Sequence, residues 1–577
     1  MGNSNISEVR KRVSERWSKV DVKLDQAKVK RQRTCDETNA EISSQKIDII
    51  DLTNSSDEET DTDVLEVIES TNVRDSSDCL GSRNTRSSKI EYPFRLIKSD
   101  IYDSGKNGYP SIDSPYFITL KDIFGDKSLR RSILFSFQYE LEFLLNQFNK
   151  ETVESIIVVA QEGTLIPPTS SDLCLMLNIV TILEISMPPF TCHHTKMILN
   201  FYEDKSCKIF IPSNNFTYME TNLPQQVCWL SPVLPHIAKP SEERSSFKEN
   251  LLRYLCSYPT KDIRDRLVAP LTNIDFSRLS NVDFTYSTPN DINSGFKLLE
   301  EILSPSTDEL NQGKLPQQYL CQTSSIGGPG AKGGNLFTHI WAPTFSNLIK
   351  TSNIKNTSQK PPPVLSTIHA LSAFGDRIKT HIVFPTVEEI KNSPSGWLCS
   401  GWFHFHHAKN QQYYNMLLND FSTFSKQDPL RISRERKATP SHSKFYMRST
   451  LQETDDLDDP FARPDWCVYT SANLSLTAWG TQTRKPRNYE GGIVYKMTDS
   501  QMLKCASFVD IIYRKGQRLG DETKKATASL LENKRIININ VPFTLPVKNY
   551  DTDQDECFCA STSYQQRDSM GDYNTPM

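Results

Sequence analysis

The segment His194-Thr195-Lys196 is answered 248 residues later by His442-Ser443-Lys444. Each His-x-Lys set is followed downstream by an asparagine: Ser213-Asn214 after the first, Ser471-Ala472-Asn473 after the second. Two copies of so unusual a constellation predict a duplicated domain whose halves build one site. In an extended strand residues i and i+2 point to the same face, so each imidazole is expected beside its own ammonium. Two imidazoles, two ammonium groups and two amides converging on one point make a pocket for a tetrahedral oxyanion, and a phosphodiester fits that description.

The rest of the chain narrows the class. At 577 residues it exceeds one ordinary domain, and two globular domains plus a tail are expected. A net charge of -4 argues against a uniformly basic nucleic-acid binder and leaves room for a local basic groove. The 13 cysteines include no Cys-x-x-Cys pair, so no zinc framework is visible and reduced thiols of the cytosol or nucleus are expected. The N-terminus is polar, without the pattern of a secretory signal. The most apolar run, Leu173 to Leu183, is too short to span a bilayer and reads as a buried core segment.

Residues 1–90 are poor in aromatics and rich in Ser, Thr, Asp, Glu and Lys, a composition that predicts a disordered regulatory tail. Residues 1–33 hold ten Lys/Arg against four Asp/Glu, with Lys28, Lys30, Arg31 and Arg33 clustered. That cluster reads as a nuclear-import signal or DNA-touching arm, against the alternative of a solvated charged tail. The stretch Ile47, Ile49, Ile50 and Leu52 precedes an acidic run with Ser55 and Ser56. It resembles a SUMO-interacting motif, which would add a strand to a basic sheet edge; an incidental apolar patch is the competing reading.

Globular sequence is expected from about Tyr92. Ser132–Phe148 has apolar residues at helical spacing and predicts a helix. Strands are predicted at Glu154–Ala160, Ile182–Met187, Lys196–Tyr202 and Lys208–Pro212, giving an α/β layered domain over 91–292. A helix at Gly295–Leu303 opens a second domain, 293–550, with strands at Thr380–Phe384, Trp466–Thr470 and Gly491–Tyr495. Residues 551–577 read as a flexible tail.

Specific residues carry a family resemblance. Phe190-Thr-Cys-His-His194-Thr-Lys196-Met, Pro212-Ser-Asn214 and Trp229-Leu-Ser-Pro232 resemble the N-terminal half of the tyrosyl-DNA phosphodiesterase family. Ser324-Ser325-Ile-Gly327, His381-Ile-Val-Phe-Pro-Thr386, His442-Ser-Lys444 and Thr470-Ser-Ala-Asn473-Leu-Ser475 resemble its C-terminal half, and Tyr489-Glu490 before a Gly-Gly strand completes the pattern. The family belongs to the phospholipase D superfamily, whose motif is His-x-Lys-x4-Asp. Here Phe201 and Ser449 stand at the two Asp positions, which argues against a lipid phospholipase or general nuclease and for the tyrosyl-DNA branch.

The resemblance implies an α/β fold: two similar phospholipase D-like α-β-α sandwich domains with one shared active site. It implies a nuclear, monomeric DNA-repair enzyme, without metal or other cofactor. Its substrates would be single-stranded or duplex DNA 3′ ends bearing a topoisomerase I-derived peptide. His194 would attack phosphorus and form a phosphohistidine, and His442 would act as general acid and then base. Lys196 and Lys444 would supply fixed charge, and Asn214 and Asn473 amide donors. Glu490 would orient His442, leaving His194 with no partner visible in the sequence. Ser324, Ser325 and Ser475 match positions that hold the DNA backbone, and Phe190 one that stacks on a base.

Other features read more plainly. His193 should face away from the site. The run Trp402-Phe403-His404-Phe405-His406-His407 tempts a metal reading, yet reads as a half-buried strand. The Gly-rich segment 327–334 lacks a P-loop ending and reads as a flexible DNA-side loop. A non-catalytic nuclear adaptor, working through residues 47–63, is the rival of another class; four intact His and Lys side chains argue against it.

Overall fold

Seven strands of the first half recur in the second in the same order and with the same pairing senses. The first seven are β1 (Phe94–Ile97), β2 (Leu129–Phe135), β3 (Ser155–Gln161), β4 (Val180–Ile185), β5 (Met197–Tyr202), β6 (Cys207–Pro212) and β7 (Val227–Leu230). The second seven are β8 (Asp283–Ser287), β9 (Gln317–Gln322), β10 (Ile378–Val383), β11 (Phe424–Lys426), β12 (Phe445–Thr450), β13 (Trp466–Thr470) and β14 (Glu490–Lys496). One sheet runs β1-β7-β6-β5-β2-β3-β4, the other β8-β14-β13-β12-β9-β10-β11, each with a further two-residue strand at one edge. In both, the first four contacts along the order are antiparallel and the last two parallel. The duplication inferred from the His-x-Lys sets is therefore a duplication of topology.

This computed structural model describes residues 90–106, 109, 111–238, 244–303, 315–330, 333–346, 370–371, 375–430, 438–451, 459–513 and 534–574. The tail readings over 1–89, including the basic cluster and the SUMO-type motif, lie outside the described residues, as do 331–332 of the Gly-rich segment. Ser87–Met577 is one compact unit holding both sheets.

The sheets pack on each other through a shared apolar layer. Phe94 of β1 meets Tyr469 of β13 and Phe445 of β12 at centroid distances of 5.4 and 5.8 Å. The Tyr469 hydroxyl donates to the carbonyls of Ile211 and Val227, both at 2.9 Å. Trp229 Nε1 donates to the Tyr495 hydroxyl at 3.0 Å. Each sheet buries its other face against its own helices, so most strands are apolar on both sides.

That double burial explains one failed expectation. Ser132–Phe148 is not a helix: β2 runs to Phe135, the chain turns, and only Leu141–Leu145 is helical. A strand covered on both faces is apolar at nearly every position, so helical spacing is met by chance within it. Ser132 has no aqueous face either, and its hydroxyl donates to Asn200 Oδ1 on β5 at 2.7 Å.

Four further corrections follow. Strand β8 pairs with β14, so the second sheet begins before the boundary expected at 293. Leu173–Leu183 is a short helix leading into edge strand β4; Leu173 is buried, but Leu175 is 71% exposed, so the run is not uniformly core. Residues 402–407 form no continuous strand: His404 makes a single bridge to Ser325, Phe403, Phe405 and His407 are buried while His404 and His406 are exposed, and His407 Nε2 bonds the Cys557 carbonyl.

The fourth concerns 551–574, which is packed. Tyr564 stacks on Trp397 at 5.4 Å with rings 7° apart, and Ala560 N donates to the Phe405 carbonyl. Asp568 accepts from Trp397 N at 2.8 Å, and from Met570 N and Asp572 N. Gly396, at φ 52°, leaves the space that the Asp568 carboxylate fills. Asp568→Ala strands the buried Trp397 N–H and is expected to cost about 1–3 kcal/mol in a urea unfolding curve; an unchanged midpoint would show the strap to be idle.

Candidate active site

Both His-x-Lys sets sit in the loop just ahead of equivalent strands, β5 and β12, and Asn214 and Asn473 just past β6 and β13. The halves are laced together at this point. His194 N donates to the Tyr489 carbonyl at 2.8 Å, and His442 N to the Gln225 carbonyl at 3.0 Å. Each histidine is thus held on backbone from the other half, beside the residue that follows: Glu490 in one case, Gln226 in the other.

Those two residues are counterparts by register. Cys228 pairs with Pro212 at the end of β6, and Gly492 pairs with Thr470 at the end of β13, so Gln226 and Glu490 each stand two residues earlier. Their supports match as well. Ser213 Oγ donates to Gln226 Oε1 at 2.5 Å, and Ser471 Oγ to Glu490 Oε2 at 2.6 Å.

The expected pairing of Glu490 with His442 is therefore reversed. Glu490 Oε2 lies 2.9 Å from Nδ1 of His194, the histidine that had no partner in sequence. The reason is the crossing: an orienting group at the head of β14 faces the opposite half. His442 is served by Gln226 Nε2 and Glu220 Oε1, both 3.4 Å from its Nδ1. Neither was anticipated. Aligning Pro212-Ser213-Asn214…Gln226 with Thr470-Ser471-Ala472-Asn473…Glu490 would have exposed Gln226; Glu220 leaves no such trace.

The two settings suit different chemistry. Glu490 is 2% exposed, and although burial raises its pKa, the His194 charge and hydrogen bonds from His194, Ser471 and Asn488 hold it below the usual carboxylate value. Facing an ionised carboxylate, Nδ1 of His194 keeps its proton, and Nε2 is left with a lone pair for attack. His442 has a donor and an acceptor at the same Nδ1, so that nitrogen is satisfied bare or protonated while a proton moves at Nε2. Burial, then Lys444, Lys196 and His194, push the His442 pKa well below 6.5.

Lys196 and Lys444 are each 1% exposed. Lys196 Nζ donates to the His194 carbonyl at 3.0 Å; Lys444 Nζ donates to the His442 carbonyl at 2.7 Å and lies 3.2 Å from His442 Nε2. Burial and the Lys196 charge bring Lys444 down to about 7 from 10.5. The unfolded chain therefore binds a proton that the native state refuses between those values. Folding is penalised progressively as pH falls from 10.5 to 7, and fully below 7. A tetrahedral dianion in the site removes that penalty. Tungstate at one fixed concentration, about a hundred times its Kd at pH 6, should stabilise the fold there by about 2.7 kcal/mol, with a smaller gain in melting temperature at pH 9. Equal gains at both pH values would count against the assignment.

The amides are not equivalent. Asn473 Oδ1 accepts from Thr323 Oγ1 at 3.0 Å and Ser324 Oγ at 3.1 Å, leaving its Nδ2 without a hydrogen-bond partner among the described residues. It is set as a donor. Asn214 departs from expectation: its Nδ2 already donates to the Asn215 carbonyl and Thr221 Oγ1, and the group left over is the buried Oδ1 acceptor. Ser324 is 1% exposed and sits behind Asn473 rather than on the surface. Ser325 and Ser475 are half-buried, and Phe190 is 94% exposed at φ 60°. Phe137, not anticipated, lies 6.3 Å from the His194 ring.

Comparison with known proteins identifies the family. The tyrosyl-DNA phosphodiesterase family profile matches residues 95–551. The chain belongs to the tyrosyl-DNA phosphodiesterase family. It is 39% identical over 570 residues to tyrosyl-DNA phosphodiesterase 1 of Saccharomyces cerevisiae, covering 96% of each chain. The Drosophila melanogaster tyrosyl-DNA phosphodiesterase 1 is 25% identical over 454 residues, covering 74% of this chain and 70% of that one. The crystal structure of the yeast tyrosyl-DNA phosphodiesterase superposes with a TM-score of 0.66 at 42% identity, over 81% of this chain and 99% of that one. The phospholipase D-like fold and phosphodiesterase chemistry implied by the sequence therefore hold.

Proposed function

We propose that the chain hydrolyses the phosphodiester joining a DNA 3′ end to a tyrosine, with the topoisomerase I-derived peptide as principal leaving group. The observation that carries this is the unequal setting of the two histidines, one on a carboxylate and one between an amide and a carboxylate. His194 Nε2 forms a bond to phosphorus as the bond to the tyrosine oxygen breaks, and His442 Nε2 delivers a proton to that oxygen. His442 then takes a proton from water, whose oxygen displaces His194 and leaves a 3′-phosphate. Lys196, Lys444 and the Asn473 amide stabilise the equatorial oxygens. Phe190 would stack on a base, with Ser325 and Ser475 along the DNA backbone.

Other 3′ blocking groups and 5′-phosphotyrosyl ends are further candidate substrates. A nuclear repair role suits this chemistry, with the segment containing Ile47, Ile49, Ile50 and Leu52 as a SUMO contact. The decisive assay is tyrosine release from a 3′-phosphotyrosyl single-stranded oligonucleotide in EDTA. Release by the wild type and not by His194→Ala supports the reading; no release by folded wild type overturns it.

A further inference from the structure

Behind the first His-x-Lys set lies a buried polar chain that the reaction above does not use. His193 Nε2 is 2.7 Å from the Tyr258 hydroxyl, which is 2.7 Å from the Tyr254 hydroxyl, which donates to Thr195 Oγ1 at 2.7 Å. All four side chains are fully buried. Proton counting fixes the direction. Tyr254 gives its only hydrogen to Thr195, so Tyr258 must donate to Tyr254, and Tyr258 must then accept from His193. The chain runs His193 to Tyr258 to Tyr254 to Thr195, with the proton of neutral His193 on Nε2.

Its two ends bracket His194. Thr195 is wedged on its other side against Gly491, where an added Cβ would meet Thr195 Cγ2 at 3.0 Å. His193 N donates to Gln161 Oε1 at 3.0 Å. Tyr258 also stacks on Tyr489 at 4.9 Å, the residue whose carbonyl accepts from His194 N. Among the described residues the second half has a shorter chain without tyrosine hydroxyls: Ser443 Oγ donates to Gln322 Oε1 at 2.6 Å and lies 2.8 Å from Ser441 Oγ, which is 3.4 Å from the Gln225 carbonyl, and Gln322 Nε2 turns back to the Ser441 carbonyl at 3.0 Å. Among the described residues the chain of tyrosine hydroxyls belongs to His194.

We propose that His193, Tyr258, Tyr254 and Thr195 are positioning residues that fix the aim of the His194 imidazole, and so set the rate of covalent attack rather than substrate affinity. The inference rests on the function proposed above. It is tested by single-turnover kinetics on the 3′-phosphotyrosyl oligonucleotide, well below each variant's melting temperature. Tyr258→Phe breaks the chain at its centre with little change of shape. It should slow tyrosine release about tenfold or more while the half-saturating enzyme concentration stays within about twofold. Thr195→Val, which cannot accept, should behave likewise, and Thr195→Ser should retain most of the rate. Wild-type release is the control: its failure sinks the proposed function, not this inference. Wild-type rates in a folded Tyr258→Phe protein, or equal losses in Thr195→Val and Thr195→Ser, would overturn the positioning role. If Tyr258→Phe does not fold, the Thr195 pair decides alone.

Discussion

Replacing His194 by Ala is expected to reduce tyrosine release by on the order of 10⁴-fold or more, because no other group can form the bond to phosphorus. His442 cannot substitute. Its Nε2 lies beside the Lys444 ammonium, and the carboxylate at its Nδ1, Glu220, stands at 3.4 Å against 2.9 Å for Glu490 at His194. Lys196, Lys444 and Asn473 would remain, so DNA binding should persist while turnover stops. A gel-shift titration beside the release assay separates the two. Comparable losses of binding and turnover would mean that His194 holds substrate rather than attacks it. The Glu490→Gln variant should follow the same pattern more mildly, since an amide no longer fixes the proton on Nδ1.

Replacing His442 by Asn should have a different signature. The first displacement expels a phenol with a reference pKa of about 10, a tolerable leaving group without full protonation. The second must activate water, and there the missing base should cost about 10²–10⁴-fold. A DNA adduct on His194 should therefore accumulate and survive long enough to be seen as a shifted band after denaturation. Its absence, with tyrosine still released, would count against the covalent route. The two variants thus differ in kind: one never forms the intermediate, the other cannot discharge it.

How much of this was visible in the chain depends on the range of the information. The His-x-Lys sets, Asn473 and the duplication are written within a few residues each, and the fold brings the two sets together. The identity of each histidine's partner is not, because it is set by register across two sheets 296 residues apart in sequence. Glu490 looked like a neighbour of His442 because it follows it in the chain; the fold turns it to His194. Ser132–Phe148 was unreadable for another reason, since burial on both faces erases the alternation that marks a strand. Residues 551–574 read as a tail because their anchors follow no period: Cys557, Phe558, Ala560 and Tyr564 are buried, Asp555 pairs with Lys426, and Asp568 accepts from Trp397 N, with polar residues between them.

The crossing of Glu490 and Gln226 bears on how such a site can arise. Two identical copies related by a two-fold axis would lend each other the same residue, so both histidines would see the same partner. In such a pair only the bound substrate can make one imidazole the attacker and the other the proton carrier. Joining the copies in one chain breaks that symmetry, since the two positions can then differ while their supporting serines, Ser213 and Ser471, stay alike. In the fused chain the two histidines are unequal before any substrate binds.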